Sequence, residues 1–435
     1  MHNRIHNRSG LWANTDFLHL WGAETVSQFG AQISTFAVPL IAAITLNASP
    51  LEMGVLSAAG PAPRLLIGFI AGAWADRLPR RPIMIATDLG RVLSSAIVPI
   101  AALSGWFSFN ILLIAALLSG LQSVFFDAAW NAVLPNTVRR DELTDATSKL
   151  MGTASVAQIV GPALGGLIVG WIGGPSAMWI PVLTFGISAW LLLQMKQPEA
   201  PSTQTTTASN MWHEVREGLH ELWRDDIMRA LINTAMVLNF GGLVFLAVYV
   251  LFMTNDLGLS SAGVGLVYAS GGVGALVGAL IAPWVARKIG IGQSILWGAV
   301  GFGLVNLPVP LAFYFKEIAL PVVVICESLS WLTLALFNIN RFALRQALTP
   351  DHLRGRIGSS SMTLVSGASM AGSLVGGIVG DVWGVHEALY VGIFFMAVAG
   401  LWVWRSPVPG MREIPEERGG SPLPAEALEP DAISG

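Results

Sequence analysis

The chain alternates long apolar runs with short polar loops. A membrane-spanning helix requires about 20 mostly apolar residues, and twelve runs of this kind occur along the sequence. The first half contains six of them, at residues 17–46, 52–75, 82–104, 107–131, 148–171 and 176–195. The second half contains the other six, at residues 228–253, 261–286, 290–314, 318–341, 357–380 and 386–405. The pattern therefore predicts an all-α membrane protein with twelve transmembrane helices.

Polar segments divide these runs into two sets. The segment between the sixth and seventh runs begins with Pro, Ser and Thr residues and ends in an amphipathic stretch, which predicts a flexible linker followed by a surface helix. The end of the chain is rich in Pro, Gly and Glu, which is typical of disorder. We predict a cytoplasmic tail, a six-helix bundle, a cytoplasmic linker, a second six-helix bundle and a disordered cytoplasmic tail, at residues 1–16, 17–196, 197–227, 228–405 and 406–435.

The two sets of runs are related by an internal repeat. Similar segments end the fourth run of each half, at residues 126–132 and 337–343. Glycine-rich segments follow at residues 161–166 and 372–377, again separated by 211 residues. Secondary transporters are commonly built from such repeats, with a binding site near the membrane midplane between them. The repeat predicts two pseudo-symmetric bundles with a site at their interface.

Composition and charge agree with a membrane location. The chain is 53% hydrophobic and 12% charged, whereas soluble proteins average about 25% charged residues. Its net charge is -3, so we predict no nucleic-acid partner. Nearly all of the 24 Lys and Arg residues fall on one side when the N-terminus is placed inside. This asymmetry predicts cytoplasmic termini and, for a bacterial protein, insertion in the inner membrane.

The most charged loop joins the second and third runs and contains a recognisable motif. Its sequence resembles the signature between spans two and three of the major facilitator superfamily, with Pro79 where that family has Gly. The matching residues are Gly72, Asp76, Arg77, Arg80 and Arg81. In the family the equivalent Asp latches this loop to the start of span eleven, here near residues 357–361. The alternative is that the loop acts only as a positive topology determinant.

Further motifs carry the same resemblance. Gly161, Pro162, Gly165 and Gly166 in span five resemble the antiporter motif of drug-exporting members. Leu20, Trp21, Glu24, Ser27 and Gly30 in span one resemble the subgroup of macrolide efflux proteins and the enterobactin exporter. The resemblance covers residues 15–405. It implies the major facilitator fold, a monomer, alternating access and proton-coupled export of an amphipathic drug or siderophore.

Charged residues within the spans are candidates for the transport site, because charges are costly in lipid. Glu24 and Glu327 are predicted to carry a proton or to meet a cationic substrate. Arg64 requires a counter-ion, for which Glu24 is the nearest candidate; a purely structural pair is the alternative. The Arg that the resembled family carries in its span-four motif is missing from residues 118–123, and Arg91, one turn from Asp88 in span three, is predicted to take its place in the gating relay. The full set of predicted cavity residues is Glu24, Gln28, Gln32, Arg64, Asp127, Asn239, Glu327, Trp331 and Asn338.

The sequence contains no motif typical of an enzyme, an ATPase or a zinc protein. No span contains a His cluster or a nucleophile–base pair, and Gly-Lys never occurs, so neither an enzyme nor a P-loop ATPase is predicted. The lone Cys326 excludes intrachain disulfides and cysteine-based zinc sites. We expect no cofactor and no metal, a small-molecule substrate, a bilayer as surroundings and a proton gradient as the energy source. The remaining alternatives are a nutrient uptake permease and a non-transporting scaffold or sensor.

Overall fold

The computed structural model describes residues 11–68, 78–196, 220, 222–350 and 353–413. Within those ranges the chain forms helices joined by short turns, and 11 of the helices are long and apolar enough to cross a membrane. The prediction of an all-helical membrane protein is therefore confirmed. The second predicted span is helical at residues 61–68 and then leaves the described residues, so the number twelve stays a prediction.

Twelve helices are labelled here in chain order. Those of the first half are α1 (Thr15–Ile44), α2 (Pro50–Ala58), α3 (Arg80–Leu103), α4 (Phe109–Thr137), α5 (Leu143–Ile172) and α6 (Trp179–Leu193). Those of the second half are α7 (Asp226–Leu251), α8 (Ser261–Ile289), α9 (Ile291–Leu304), α10 (Ala319–Leu348), α11 (Arg354–Val382) and α12 (Val385–Val398). Helix α10 is longer than its predicted span. The ninth predicted span is present as Ile291–Tyr314, within which the helix breaks after α9 and restarts at Pro308.

The internal repeat is visible in the helix boundaries. Helices α1, α2, α3 and α5 begin 211 residues before α7, α8, α9 and α11, respectively. The repeat therefore runs through most of each half with little insertion or deletion. Equivalent positions in the two halves can be compared directly by this separation.

Packing follows the same division. In the first half, α3 packs against α4 and α6, and α1 packs against α5 and α6. In the second half, α7 packs against α11 and α12, and α10 packs against α8 and α9. The halves meet mainly where α5 contacts α8 and where α2 contacts α11.

Polar side chains cap the first turns of several helices and so determine the residues at which these helices begin. The side chain of Asn14 accepts hydrogen bonds from the amides of Asp16 and Phe17 at the start of α1. Ser49 and Glu52 form a reciprocal capping box at the start of α2. Asp225 caps α7 in the same way as Asn14 caps α1. These caps satisfy amides that have no partner within the helix.

The two interfaces between the halves are built on glycine. We call the side of the molecule that holds residues 11–14 and 405–413 the terminal face, and the other side the opposite face. Near the opposite face, a Cβ at Gly54 of α2 would lie 2.6 Å from the Cα of Gly377 in α11. A Cβ at Gly166 of α5 would lie 3.0 Å from the Cα of Gly265 in α8. We call these two pairs the opposite-face contacts; side chains would not fit in either.

Candidate functional site

A polar cavity lies between the halves, toward the terminal face. Its volume is about 460 Å³, and α1, α4, α5, α11 and the helical residues 61–68 form its walls. The polar side chains that line it are those of Glu24, Gln28, Arg64, Asp127, Ser359 and Thr363. A second cavity of about 560 Å³ lies deeper and shares Arg64, Val124 and Met362 with the first. Charged side chains of both signs line the first cavity, whereas the side chains that line the second are uncharged apart from Arg64.

Arg64 forms an ion pair across the first cavity with Asp127 of α4. The Arg64 Nη2 to Asp127 Oδ2 distance is 2.6 Å, and the side chains are 36% and 52% exposed. The predicted pairing of Arg64 with Glu24 is therefore wrong. The reason is the rotation of α4, which presents Asp127 to the guanidinium, while the Glu24 carboxylate is held by a neighbour on its own helix.

Glu24 is buried at the edge of the same cavity, with 6% of its surface exposed. The side chain of Gln28, one turn later, donates a 2.7 Å hydrogen bond from Nε2 to Glu24 Oε1. The second carboxylate oxygen, Oε2, has no hydrogen-bond partner in the described part of the chain. Gln32, the third member of the predicted stripe, packs against Gly161 and does not line either cavity.

A second ion pair is fully enclosed behind the cavity wall. Arg91 Nη1 lies 3.3 Å from Asp88 Oδ1, and their side chains are 6% and 0% exposed, respectively. Ser188 of α6 donates a 2.6 Å hydrogen bond to Asp88 Oδ2. The Arg91 guanidinium also lies 4.4 Å from the centre of the Phe126 ring, which is suitable for a cation–π interaction. The predicted proximity of Asp88 and Arg91 is present; their relay function stays a prediction.

The charged loop is described only at its end. Gly72, Asp76 and Arg77 lie outside the described residues, so the predicted latch to α11 is untested. Arg80 begins α3. Arg81 donates hydrogen bonds of 2.8 and 2.7 Å to the carbonyl oxygens of Leu192 and Leu193, respectively. This guanidinium thus satisfies carbonyl groups that end α6.

Glu327 does not line either cavity, contrary to its predicted position in the cavity. It is buried between α10 and α7, where Tyr249 Oη donates a 3.2 Å hydrogen bond to its Oε2. Trp331 Nε1 donates a 2.8 Å hydrogen bond to its Oε1. Helix α8 allows this arrangement because a Cβ at Gly271 would lie 2.6 Å from the Trp331 ring.

The other second-half candidates also lie apart from the cavities. Asn239 donates its side-chain hydrogen bond to the carbonyl of Ala235 on its own helix. The exposed Asn338 accepts a long, 3.5 Å contact from Arg341. The structure therefore gathers Glu24, Gln28, Arg64 and Asp127, and it leaves the candidates of α7 and α10 outside this group.

The antiporter-like motif lies on the faces of α5 that contact α1 and α8. A Cβ at Gly161 would meet the side chain of Gln32, and one at Gly165 would meet Phe36 at 2.9 Å. The main-chain oxygen of Pro162 lies 2.8 Å from the Cβ position of Gly265, and Gly166 belongs to the opposite-face contacts. The motif thus permits close approach of α5 to both neighbours.

Sequence reasoning missed several residues. Ser359 and Thr363 of α11 line the cavity, and Gly54 and Gly265 form half of the opposite-face contacts. The internal repeat could have identified the glycines, because Gly54 and Gly265 are separated by the repeat distance of 211 residues, as are Gly166 and Gly377. No comparable pattern marks the two hydroxyl residues.

The fold and the charged cavity between its halves define a membrane transporter, and comparison with known proteins agrees. The family model described as "Transmembrane secretion effector" matches residues 10–432. The multidrug efflux pump Tap of Mycolicibacterium fortuitum is 27% identical over 85% of this chain and 90% of its own length. Macrolide efflux protein A of Streptococcus pyogenes is 22% identical over 88% of this chain and 94% of its own length.

A solved structure shares the architecture. A bacterial homologue of the iron transporter ferroportin, crystallised in the inward-facing state, has a TM-score of 0.74 and 19% identity, covering 91% of this chain and 99% of that one. This likeness concerns the fold; the family model and the curated relatives identify the protein as a transporter of the major facilitator superfamily. Within it, the chain belongs to the family of transmembrane secretion effectors.

Proposed function

We propose that the protein exports an amphipathic small molecule in exchange for protons, by alternating access between two six-helix bundles. In this proposal both termini are cytoplasmic and the chain lies in the bacterial inner membrane. The observation that carries the proposal is the buried carboxylate of Glu24, which lines the cavity between the halves and keeps one oxygen without a hydrogen-bond partner among the described residues.

A carboxyl group in this position is suited to exchange a proton with the cavity. Taking an ionised carboxylate out of water is unfavourable unless it is paired, so protonation is the simplest way to neutralise it. The hydrogen bond from Gln28 orients the group without neutralising it, since an amide carries no charge. Glu24 can therefore bind a proton or release it when the surroundings of the cavity change.

Alternating access is supported by the uneven contact between the halves. At the opposite face they touch through the glycines of the opposite-face contacts. The polar cavity lies nearer the terminal face. A rocking motion that separates α5 from α8 and α2 from α11 would open the cavity to the other side, as in other transporters built from repeats.

Export is favoured by the relatives and by the motif in α5. The relatives described above are named as a multidrug efflux pump and a macrolide efflux protein. Gly161, Pro162, Gly165 and Gly166 resemble the motif of drug-exporting members, and they sit where α5 meets α1 and α8. The apolar walls of the second cavity, which include Leu56, Val124 and Leu246, suit the hydrophobic part of an amphipathic molecule.

The test is transport in vesicles that contain the purified full-length protein. We expect a proton gradient to drive export of a fluorescent drug by the wild type, and an uncoupler to abolish the difference. Glu24→Gln should lose gradient-driven transport yet retain drug exchange at equal pH, because a neutral amide cannot release a proton. Glu317→Gln, the same change at an exposed position near the opposite face, is the control and should behave as wild type.

Two results would contradict the proposal. Full gradient dependence in Glu24→Gln would show that this carboxyl does not carry the proton. Drug accumulation that an uncoupler decreases in intact cells would show that the protein imports its substrate.

A further inference from the structure

A further cavity, of about 710 Å³, lies on the terminal face, apart from the two cavities between the halves. It is enclosed by the end of α8, the start of α9, the C-terminal part of α10 and the segment that follows α12. We call it the basic cavity, because three of its lining residues are cations: Arg287, Lys288 and Arg412. All of its walls belong to the second half, so it is separate from the proposed transport site.

The lining of the basic cavity carries an excess of positive charge. Glu413 is the one carboxylate among its described lining residues, beside the three cations. All four of these residues are exposed, and none of them forms an ion pair within the described part of the chain. Three cations and one carboxylate leave a net charge of +2, which is suited to an anionic ligand.

Main-chain contacts hold the segment after α12 against the start of α9. The Ile291 amide donates a 3.3 Å hydrogen bond to the main-chain oxygen of Arg412. The following amide, that of Gly292, donates a 3.0 Å hydrogen bond to the main-chain oxygen of Met411. Gly290 permits this approach, because its φ is +91° and a Cβ there would lie 3.2 Å from the Cα of Arg412. Arg412 is therefore fixed beside the end of α8, which carries the other two cations.

Apolar side chains lie next to these cations. Ile289 and Ile339 line the basic cavity, and both are exposed. Lys288 Nζ lies 4.9 Å from the centre of the exposed Trp284 ring, which is suitable for a cation–π interaction. Exposed tryptophans are enriched where a membrane protein meets the lipid headgroups. The arrangement fits a ligand that joins an anionic group to a hydrophobic body at this level of the bilayer.

The internal repeat shows that part of this positive charge is specific to the second half. Arg287 lies 211 residues after Asp76, the acidic residue of the charged loop, and Lys288 lies 211 residues after Arg77. The second half therefore keeps one cation of the motif and has a guanidinium where the first half has a carboxylate. The loop between α8 and α9 cannot form a carboxylate latch, and its charge favours an anion instead.

We propose that the basic cavity binds the phosphate group of an anionic phospholipid from the leaflet at the terminal face. The phosphate oxygens accept hydrogen bonds from Arg287, Lys288 and Arg412, and the glycerol and acyl chains lie against Ile289 and Ile339. Basic pockets between transmembrane helices are typical sites for such headgroups. A bound lipid joins the end of α8 to the segment after α12 and so stabilises the second half.

Native mass spectrometry of the purified full-length protein in a neutral detergent measures this binding. The probe is phosphatidylglycerol, and phosphatidylcholine with the same acyl chains is the lipid without net charge. We expect the wild type to bind phosphatidylglycerol at least about fivefold more tightly than phosphatidylcholine. Inorganic phosphate and glycerophosphoglycerol carry the anionic group without acyl chains, and neither should displace the lipid at equal concentration.

Variants of the lining should change the affinity for phosphatidylglycerol according to charge. Arg287→Gln and Arg412→Gln should each weaken it by roughly fivefold. Arg287→Lys and Arg412→Lys keep the charge and should retain most of the affinity, which distinguishes lost charge from lost folding. Glu413→Gln removes the carboxylate and should strengthen binding. Arg140→Gln, the same loss of charge at an exposed position between α4 and α5, is the control and should bind as the wild type does.

The proposal also predicts an effect on stability. Phosphatidylglycerol should raise the thermal unfolding temperature of the wild type, and it should raise that of the double variant with Arg287→Gln and Arg412→Gln much less. Equal affinity of the wild type for both lipids, or unchanged affinity in the double variant, would overturn the proposed site. Displacement of the lipid by glycerophosphoglycerol at equal concentration would overturn the assignment to a lipid and identify a site for soluble phosphates.

Discussion

A single methyl group at Gly166 tests whether the halves separate at the opposite face. In the observed conformation, a Cβ at this position would lie 2.5 Å from the main-chain oxygen of Ser261 and 3.0 Å from the Cα of Gly265. Both neighbours are backbone atoms of α8, so neither can move without the helix. Gly166→Ala should therefore disfavour this conformation and favour one in which α5 and α8 are apart.

The size of the effect follows from the distances. Ordinary van der Waals contact begins at 3.4 Å, so α8 would have to retreat by roughly 1 Å to accept the methyl group. Overpacking of this kind costs about 1–3 kcal/mol. If the other conformation releases the strain, the equilibrium between the two shifts by roughly 5- to 150-fold. A minor population of a few per cent would become readily detectable.

The measurement is an electron paramagnetic resonance distance between the halves. Cys326 is the chain's one cysteine, so Cys326→Ser gives a background for labelling. Nitroxide labels report on the opposite face at two exposed positions: Ser104, in the turn after α3, and Asn255, in the short π-helix that follows α7. We expect Gly166→Ala to increase the population at longer distance.

Matched controls make the result specific. A Cβ at Gly170, one turn further along α5, would meet nothing within 4 Å, so Gly170→Ala should leave the distribution unchanged. Gly54→Ala, at the equivalent interface, should act like Gly166→Ala because its Cβ would lie 2.6 Å from the Cα of Gly377. If Gly166→Ala and Gly170→Ala gave the same distribution in well-folded protein, the opposite-face contacts would not be where the halves part.

Three stability predictions can be checked by chemical denaturation in detergent micelles. Asp88→Asn or Arg91→Met should each lower the free energy of unfolding by about 3–5 kcal/mol, because each leaves a buried charge alone, and changing both should cost less than the sum. Arg81→Gln should lower the free energy of unfolding by about 1 kcal/mol, because it removes two hydrogen bonds to the carbonyl groups that end α6. Arg81→Lys should not restore both bonds, because an ammonium group lacks the planar, forked donors of a guanidinium. Tyr249→Phe should lower the free energy of unfolding by about 1–3 kcal/mol, because the buried carboxylate of Glu327 loses a hydrogen-bond donor. Tyr390→Phe, the same change at an exposed position, should leave the free energy of unfolding unchanged.

The helices and their repeat could be predicted from the sequence because both depend on local pattern. Long apolar runs require helices in a bilayer, since every backbone polar group must be satisfied within the segment. The separation of 211 residues, visible in two short motifs, recurs in the starts of the helices themselves. Helix ends differ from the predicted bounds where capping residues or prolines decide them, as at Asn14 and Pro308.

The partners of the charged residues could not be predicted in the same way. Helical spacing places Glu24 and Gln28 on one face, and their hydrogen bond follows from that spacing. Whether Arg64 meets Glu24 or Asp127 depends on how α1 and α4 are rotated, which is a property of packing. Glu327 has a cavity-like pattern on its own helix, but Tyr249 from α7 and the gap at Gly271 of α8 enclose it.

The repeat shows which parts of the molecule the halves share. Gly54 and Gly265 are equivalent positions, and so are Gly166 and Gly377, so the two opposite-face contacts are the same contact made twice. The charges follow no such symmetry. The positions 211 residues after Glu24, Arg64, Asp88, Arg91 and Asp127 hold Ala235, Ala275, Ala299, Phe302 and Asn338.

The contrast between symmetric glycine contacts and asymmetric charges has a consequence for how the proposed exchange would work. Because the opposite-face contacts are equivalent, both interfaces can open together in one rocking motion about the axis that relates the halves. Because the carboxyl groups that line the first cavity belong to the first half, a proton bound at Glu24 would change the charge on one side of the cavity and leave the uncharged lining of α11 as it was. In the proposed exchange, protonation would then act on the motion from one side of the cavity. The second half has its own buried carboxyl, Glu327, but Tyr249 encloses it away from both cavities, so the proposed proton exchange rests on Glu24.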